Sequence, residues 1–136
     1  MPVADHLSST ERIQRYYTDT EKAQAGLTAF FSIAEEWELD NEQQRLLLGS
    51  PGRTTFFEWK KKKMGHLSRD TLDRLSYILG IYKALHLLFS DQTAQRWLKQ
   101  PNSAPLFNGQ TPLEYLLNGR LIALADVRRY LDWARG

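Results

Sequence analysis

The sequence predicts an all-α protein, and three features of the chain indicate this fold class. Apolar residues recur at spacings of three and four in several segments, which places them on one face of a helix. Ser, Thr, Asp or Asn precede these segments and Gly or Pro follows them, as at helix starts and stops. Convincing alternation of apolar and polar residues, the pattern of a half-buried strand, is found in no stretch of the 136 residues.

The first third of the chain is predicted to contain a polar arm and one amphipathic helix. Residues 1–26 are polar and show little periodicity, so we expect an arm or a marginal helix there. Residues 27–38 form a helix, and Asp40 and Asn41 end it and cap the next one. The apolar face of this helix consists of Leu27, Phe30, Phe31, Ala34 and Trp37.

The next segment predicts two short helices, over about 41–48 and 54–63, joined by a tight turn. Gly49 suits a C-terminal cap, the proline after it cannot continue a helix, and Thr54 or Thr55 can cap the second helix. Two short helices joined in this way form a helix-turn-helix, the second helix of which lies in the major groove of DNA.

The remaining helices follow from their caps and stops. Ser68 begins a long helix, in which Gly80 marks a kink or a break. Its buried stripe is predicted to be Leu72, Leu75, Ile78, Leu79 and Tyr82. Short helices follow over 90–100 and 111–118, and the last helix begins at Leu121. Its inward stripe is predicted to be Val127, Tyr130, Leu131 and Ala134.

The net charge of +2 conceals an uneven distribution along the chain. Residues 1–49 sum to −5, residues 50–74 to +4 and residues 75–136 to +3. A segregation of this kind indicates an anionic partner for the basic part. The alternative is a monomer with uneven surface charge, in which the four consecutive lysines at 60–63 only aid solubility.

Placed on the second helix of the motif, the basic residues suit contact with DNA. Arginine can bind guanine through two hydrogen bonds, threonine can reach bases or phosphates, and lysines can follow the phosphates. Phe56 and Trp59 are expected to pack inward, whereas Phe57 could be buried or exposed. The residues expected to contact DNA are Arg53, Thr54, Thr55, Glu58, Lys60, Lys61, Lys62 and Lys63.

Signals for an enzyme or a metalloprotein are missing from the sequence. The chain has no cysteine, which excludes disulfides and thiolate chemistry and suits a reducing compartment. Its three histidines lie at no metal-ligand spacing, and its carboxylates form no acid–base couple with a plausible pocket. We therefore expect no catalytic residue, metal or cofactor. With no secretory signal or membrane span in the sequence, a cytoplasmic protein is the simplest interpretation.

The last helix carries Trp133 off its inward stripe, beside Arg135. An exposed tryptophan next to arginine is a combination enriched in protein interfaces. The alternative, equally open from the sequence, is that Trp133 folds back onto Leu116 or Tyr115. Phe107, in the preceding loop, is a second aromatic candidate for a surface contact.

Residues 97–133, "WLKQPNSAPLFNGQTPLEYLLNGRLIALADVRRYLDW", resemble the toxin-binding domain of the Xre/MbcA/ParS-type antitoxins. The matching residues are Trp97, Leu98, Pro101, Asn102, Phe107, Gly109, Pro112, Leu113, Gly119, Val127, Arg128, Arg129, Tyr130 and Leu131. The upstream stretch "LSRDTLDRLSYILGIYKALHLLF" is similar to the Xre-like DNA-binding half of the same family. The resemblance covers roughly residues 27–136.

The resemblance implies an Xre-like helix-turn-helix bundle fused to a small helical toxin-binding domain. It divides the chain into an arm over 1–26, a DNA-binding domain over 27–89 and a toxin-binding domain over 90–136. The implied function is that of the antitoxin of a type II toxin–antitoxin pair. Such an antitoxin forms a homodimer, represses its own operon by binding operator DNA, and binds a RES-domain toxin that consumes NAD or transfers ADP-ribose from it.

By the same resemblance, C-terminal elements block the approach to the toxin's active site. Because the sequence ends at Gly136, we expect Trp133, Arg135 and the terminal carboxylate to do this. Asn108-Gly109 departs from the commoner double glycine of the family, which puts the loop shape in question. The residues implied in toxin binding are Trp97, Phe107, Arg120, Arg128, Arg129, Trp133, Arg135 and Gly136.

A second hypothesis is a stand-alone dimeric helix-turn-helix transcriptional regulator, whose C-terminal helices serve only to dimerise it. The neighbouring reading frame discriminates between the two hypotheses, since an antitoxin is expected beside a toxin gene.

Overall fold

The computed structural model describes residues 8–136, except for the side chains of residues 11–18, and this part of the chain consists of helices joined by loops and turns, without strands. The all-α prediction is confirmed. The helices of the described part are α1 (Ser9–Glu36), α2 (Asn41–Leu47), α3 (Arg53–Lys62), α4 (Arg69–Leu88), α5 (Asp91–Lys99), α6 (Pro112–Asn118) and α7 (Arg120–Arg135). None of these helices combines the length and the apolar content needed to cross a membrane.

The first helix is longer than its periodicity indicated. The sequence predicted a helix over 27–38 and an arm or a marginal helix before it; from Ser9 onward this stretch is helical, because α1 runs without interruption from Ser9 to Glu36. Its buried face extends back to Ala23, and Gly26 lets α4 approach closely, since an added Cβ would lie 3.1 Å from the Leu75 side chain. Packing against α4 therefore stabilises a segment that has weak periodicity of its own. Residues 1–7 of the predicted arm lie outside the described residues.

Helix α4 is at the centre of the core and packs against α7 and α1. Leu75 and Ile78 of its predicted stripe are buried, whereas Leu72, Leu79 and Tyr82 are half-buried. The side chains that complete its buried surface are Ile81, Ala84 and Leu85. The buried face of α4 thus extends beyond the predicted stripe toward Ile81, Ala84 and Leu85, because α4 packs against both α1 and α7.

The alternative that Gly80 breaks the long helix is wrong, since α4 is continuous from Arg69 to Leu88. Arg128 of α7 lies directly over Gly80, and a Cβ added there would be 1.4 Å from the Arg128 Nη1 atom. The Nε atom of Arg128 donates a hydrogen bond to Asp132 at 2.9 Å. Gly80 therefore provides room for the guanidinium group of Arg128.

The ends of α1 and α4 and the start of α5 are joined by polar contacts. The Tyr82 hydroxyl donates to Glu36 at 2.7 Å, and this hydrogen bond raises the pKa of Tyr82 to about 12. The His86 ring packs against that of Tyr82 at a centroid distance of 4.2 Å, and its Nδ1 atom lies 2.9 Å from the Asp91 carboxylate. His86 is half-buried at this junction.

Side-chain caps fix where most helices begin. Asp40 accepts a hydrogen bond from the Gln43 amide at 2.7 Å, and the Gln43 side chain accepts one from the Asp40 amide at 3.0 Å, which forms a capping box at α2. The predicted capping of α3 by Thr54 or Thr55 is wrong, because α3 begins at Arg53 after Gly52. The predicted helix starts at Ser68 and Thr111 are confirmed, since both side chains cap their helices, and Ser90 caps α5 in the same way.

We expect Asp40→Ala to lower the free energy of unfolding by about 1 kcal/mol, because the substitution removes the side-chain acceptor of the α2 capping box. Asp40→Asn keeps an acceptor and should lie within a few tenths of a kcal/mol of the wild type. Urea unfolding followed by circular dichroism measures both variants. Equal destabilisation by the two substitutions would show that the cap does not stabilise α2.

Candidate nucleic-acid interface and candidate protein interface

The turn between α2 and α3 is held in one shape by backbone hydrogen bonds. Gly49 adopts a φ of +95°, and its amide donates to the Leu46 carbonyl at 3.1 Å. The Ser50 amide donates to the Arg45 carbonyl at 3.0 Å, which completes the two-bond C-cap of a Schellman motif. Arg45 also donates through Nη1 to the Pro51 carbonyl at 2.9 Å. These bonds fix the direction in which α3 leaves the turn.

Two buried aromatic side chains attach α3 to the core, as the sequence predicted. Phe56 and Trp59 are buried, and the Phe56 ring meets the Phe31 ring of α1 edge-on at a centroid distance of 5.9 Å. Gly65 lies against the Trp59 indole, where an added Cβ would be 2.3 Å from Nε1. The opposite face of α3 is consequently turned to solvent.

The solvent face of α3 is a stripe at spacings i, i+3, i+4 and i+7. It consists of Thr54, Phe57, Glu58 and Lys61, and all four side chains are exposed. We call these four residues the α3 stripe. Arg53, Thr55 and Lys62 are exposed beside it. The structure therefore shows that Phe57 is exposed, which the sequence left open. Its helical spacing to Thr54 and Lys61 is the pattern from which this exposure could have been predicted.

The four lysines that the sequence grouped together divide into two pairs. Lys61 and Lys62 are exposed, whereas Lys60 and Lys63 are half-buried. The Nζ atom of Lys60 donates to Asn41 Oδ1 at 2.5 Å. Lys63 caps α3 in a left-handed conformation with φ of 55°; its Nζ atom donates to the Lys60 carbonyl and lies 5.2 Å from the Phe31 ring centroid. Only the first pair projects freely from the end of α3.

A second group of aromatic side chains surrounds Phe107, in the loop before α6. Phe107 is 1% exposed, and its ring meets those of Trp97, Tyr115 and Tyr130 edge-on at centroid distances of 5.6, 5.6 and 5.4 Å. This burial corrects the expectation that Phe107 makes a surface contact. A phenylalanine in a loop carries no periodicity, so only the tertiary packing reveals that it belongs to the core.

Asn108-Gly109 stands where a double glycine is commoner, and the loop around Phe107 accommodates this difference. Asn108 and Gly109 both have positive φ, at 50° and 90°. Asparagine is among the few side chains that tolerate the left-handed region, so Asn108 can take the place of a glycine. Hydrogen bonds between Asn102 and Gln110 (3.0 Å) and between Gly109 and Asn102 (2.8 Å) close the loop.

Above this cluster, α7 presents an exposed surface centred on Trp133. Trp133 is 76% exposed and its ring lies 6.1 Å from that of Tyr130, so the exposed arrangement is the one observed. The residues lining the adjacent concavity of about 480 Å³ are Leu106, Asp126, Arg129, Tyr130 and Trp133. We call these five residues the Trp133 surface. Leu106, Asp126 and Tyr130 were not among the residues expected to bind a toxin. The four residues of this surface that lie on α7 repeat the spacing i, i+3, i+4 and i+7, which could have pointed to Asp126 and Tyr130.

Two hydrogen-bonded contacts support the Trp133 surface. Burial, together with a hydrogen bond of 3.1 Å to Asp126, raises the pKa of Tyr115. Arg129 lies 3.4 Å from Asp126 through Nη1, and most of its side chain remains exposed. The surface thus combines two aromatic rings with one exposed cation.

The structure separates the other residues implied in toxin binding. Arg128 faces α4 across Gly80, and Arg120 begins α7, about 20 Å along the helix axis from Trp133. Arg135 lies 3.5 Å from Asp132, and the Gly136 amide donates to the Trp133 carbonyl at 3.0 Å. Trp97 is half-buried beneath the surface. Of the predicted set, Arg129 and Trp133 share one surface.

The predicted inward stripe of α7 is partly wrong. Val127 and Leu131 are buried and Tyr130 is half-buried, but Ala134 is exposed. The stripe instead continues toward the start of the helix through Ala123 and Leu124. The last turn of α7 is therefore turned to solvent, which leaves Trp133 accessible.

Comparison with known proteins finds two domain families and one similar chain. The antitoxin Xre-like helix-turn-helix domain matches residues 18–80, and the antitoxin Xre/MbcA/ParS C-terminal toxin-binding domain matches residues 84–136. The uncharacterized protein y4oB of Sinorhizobium fredii (strain NBRC 101917 / NGR234) is 47% identical over 120 residues, which cover 88% of this chain and 91% of that protein. The two domain matches meet within α4.

We expect Phe107→Ala to lower the free energy of unfolding by about 3–5 kcal/mol, since it empties a site enclosed by three aromatic rings. Phe57→Ala, at a phenylalanine that is 49% exposed, should cost less than about 1 kcal/mol. Thermal and urea unfolding of the two variants compare them directly. Similar losses would contradict the assignment of Phe107 to the core.

The division of the lysines leads to a second expectation, for binding to duplex DNA. The double variant Lys61→Ala/Lys62→Ala should reduce the slope of log affinity against log salt by up to about 1.8, because each phosphate contact adds about 0.9. The double variant Lys60→Ala/Lys63→Ala has the same net charge and should change the slope less. Fluorescence anisotropy at several salt concentrations gives both slopes. Equal slopes for the two variants would show that all four lysines act alike.

Proposed function

The chain belongs to the antitoxins of toxin–antitoxin systems in which an Xre-like helix-turn-helix domain precedes an Xre/MbcA/ParS C-terminal toxin-binding domain, and from this premise we propose that it neutralises its toxin by direct binding and represses its own operon. The toxin we propose is a RES-domain enzyme that consumes NAD or transfers ADP-ribose from it. This choice rests on the resemblance of residues 97–133 to antitoxins that pair with such toxins.

The observation that carries the toxin-binding half of the proposal is the exposure of Trp133. A tryptophan that is 76% exposed, beside the cation of Arg129 and above a concavity, has the composition of an interface hot spot. The packed rings of Phe107 and Tyr130 hold this surface in shape, so little ordering is needed when a partner binds. We assign toxin contact to the Trp133 surface, with Arg135 and Gly136 beside it, and give Trp97 and Phe107 a supporting role.

The DNA-binding half of the proposal rests on α3. Its anchored inner face and its exposed α3 stripe have the arrangement of a recognition helix, whose early residues meet base edges in the major groove. Arg53, Thr55, Lys61 and Lys62 lie where they can meet bases or phosphates. We propose a homodimer on operator DNA, with two α3 helices about one helical turn of DNA apart. This activity places the protein in the cytoplasm, with the DNA.

The two surfaces lie on different helices, α3 and α7, so a substitution on one surface should not impair binding at the other. We place the DNA-binding domain over residues 27–89 and the toxin-binding domain over 90–136, with α4 in contact with helices of both. A lesion on either surface that leaves α4 intact should therefore remove one activity and leave the other.

We expect Trp133→Ala to weaken toxin binding by about 2 kcal/mol or more, roughly 30-fold, because truncating a central aromatic hot-spot residue has an effect of this size. Binding of the variant to operator DNA should be unchanged. Titration calorimetry with the product of the neighbouring gene measures the first quantity, and anisotropy with operator DNA measures the second. The control is Leu87→Ala on α4, which removes a side chain that is 69% exposed and does not line the Trp133 concavity.

The identity of the toxin is tested by co-purification followed by an NAD-consumption assay on the isolated partner. Wild-type chain should suppress NAD loss at stoichiometric amounts, and Trp133→Ala should need a large excess. Unchanged suppression by Trp133→Ala would remove the Trp133 surface from the interface. A chain that binds DNA but captures no neighbouring gene product would favour the stand-alone regulator.

A further inference from the structure

The Phe57 side chain is an apolar ring on an otherwise polar stripe. It is 49% exposed, and its partners on the α3 stripe are Thr54, Glu58 and Lys61, each of which can form hydrogen bonds. Phe57 is the member of this stripe that can offer a partner only apolar contact.

The ring of Phe57 is held in a defined position. It meets the buried ring of Phe56 edge-on, with a centroid distance of 5.1 Å and an interplanar angle of 70°. Phe56 is in turn fixed by its edge contact with Phe31 at 5.9 Å. An aromatic side chain supported in this way loses little conformational entropy when it contacts a ligand.

The ring also lies toward one flank of the α3 stripe. It borders a concavity of about 270 Å³ that Asn41 and Glu42, at the start of α2, also line. In a helix-turn-helix the second helix enters the major groove while the first crosses the sugar–phosphate backbone. A ring between these two helices therefore faces the wall of the groove, close to one strand.

The chemistry of that wall offers one apolar group. The major-groove edges of the four bases present hydrogen-bond donors and acceptors, and thymine adds its 5-methyl group. This methyl group is on the side of the base nearer its own backbone, which is the side that Phe57 would meet if α3 lay in the groove with α2 across the backbone. Phenylalanine is among the side chains that make apolar contact with it.

We propose that Phe57 is a specificity-determining residue that recognises the 5-methyl group of a thymine in the operator. The proposal rests on the proposed function of α3 as the recognition helix. In this arrangement Thr54, Glu58 and Lys61 provide polar contacts to bases or phosphates, and Phe57 selects thymine at one position of each half-site.

The test removes the methyl group from the DNA and the ring from the protein. The bound sequence is first selected with the full-length chain from random duplexes, and each thymine in it is then replaced singly by uracil, which differs only by the methyl group. At one position per half-site, uracil should weaken wild-type binding about fourfold, the equivalent of burying one methyl group. Phe57→Ala should bind the thymine and uracil duplexes equally.

Two controls separate the methyl contact from other effects. Leu87→Ala, at an exposed apolar residue of α4, should keep the full thymine preference of the wild type. The salt slope of Phe57→Ala should match that of the wild type, since the phosphate contacts remain, and its circular dichroism spectrum reports that it is folded.

The outcomes distinguish this inference from the function on which it rests. Specific binding that no uracil substitution weakens would overturn the inference alone, as would a thymine preference that persists in Phe57→Ala. A wild-type chain that selects no sequence would overturn operator binding and the inference together. Loss of self-association in Phe57→Ala, with thymine preference unchanged, would assign the ring to a protein contact instead.

Discussion

Close packing of α4 against α1 and α7 is the constraint on which both functional surfaces depend. Gly26 leaves room for the Leu75 side chain, which an added Cβ would crowd at 3.1 Å, and Gly80 leaves room for the guanidinium group of Arg128. The buried side chains between these helices fill the core at contact distance, and each large one contributes about 1.5–3 kcal/mol by leaving water. With this core in place, the outer faces of α3 and α7 are fixed relative to it and remain accessible.

The two surfaces are built on the same physical plan. On α3, the buried ring of Phe56 supports the exposed ring of Phe57. On α7, the buried ring of Phe107 supports Tyr130, which is next to the exposed ring of Trp133. In both cases a contact with a ring that is itself packed on the core restricts an exposed aromatic side chain, which lowers the entropy that a partner must overcome on binding. The two surfaces differ in the charge around the exposed ring. Exposed lysines follow Phe57 on α3, whereas the arginines next to Trp133 on α7 are each paired with an aspartate.

Arg128 shows how a residue that matches a family motif can act inside the structure. Its guanidinium group spans Gly80 and is held by Asp132, so it connects α7 to α4. The two domain matches divide at this same part of α4, between residues 80 and 84. A partner that displaced α7 would therefore disturb the helix that also supports the DNA-binding half. The contact at Gly80 is one of the physical links between the two halves, beside those of Gln95 with Glu36 and Lys99 with Glu38.

Much of the local structure was determined by the sequence alone, because caps and turns depend on residues close together in the chain. Asp40, Ser68 and Thr111 each accept a hydrogen bond from an amide three residues ahead, and all three helix starts were predicted correctly. The helix-turn-helix and the inward side of α3 followed in the same way from spacing, whereas the sequence left the exposure of Trp133 open and the structure decided it.

Tertiary structure decided the features that depend on residues distant in sequence. Burial of Phe107 needs rings from α5, α6 and α7, and the role of Gly80 needs Arg128, forty-eight positions away. The inward turn of Lys60 likewise requires Asn41 of another helix, so a run of four identical residues gave no sign of its division into two pairs. Spacing assigns a side chain to a face of its own helix, but only the packed chain shows what that face meets.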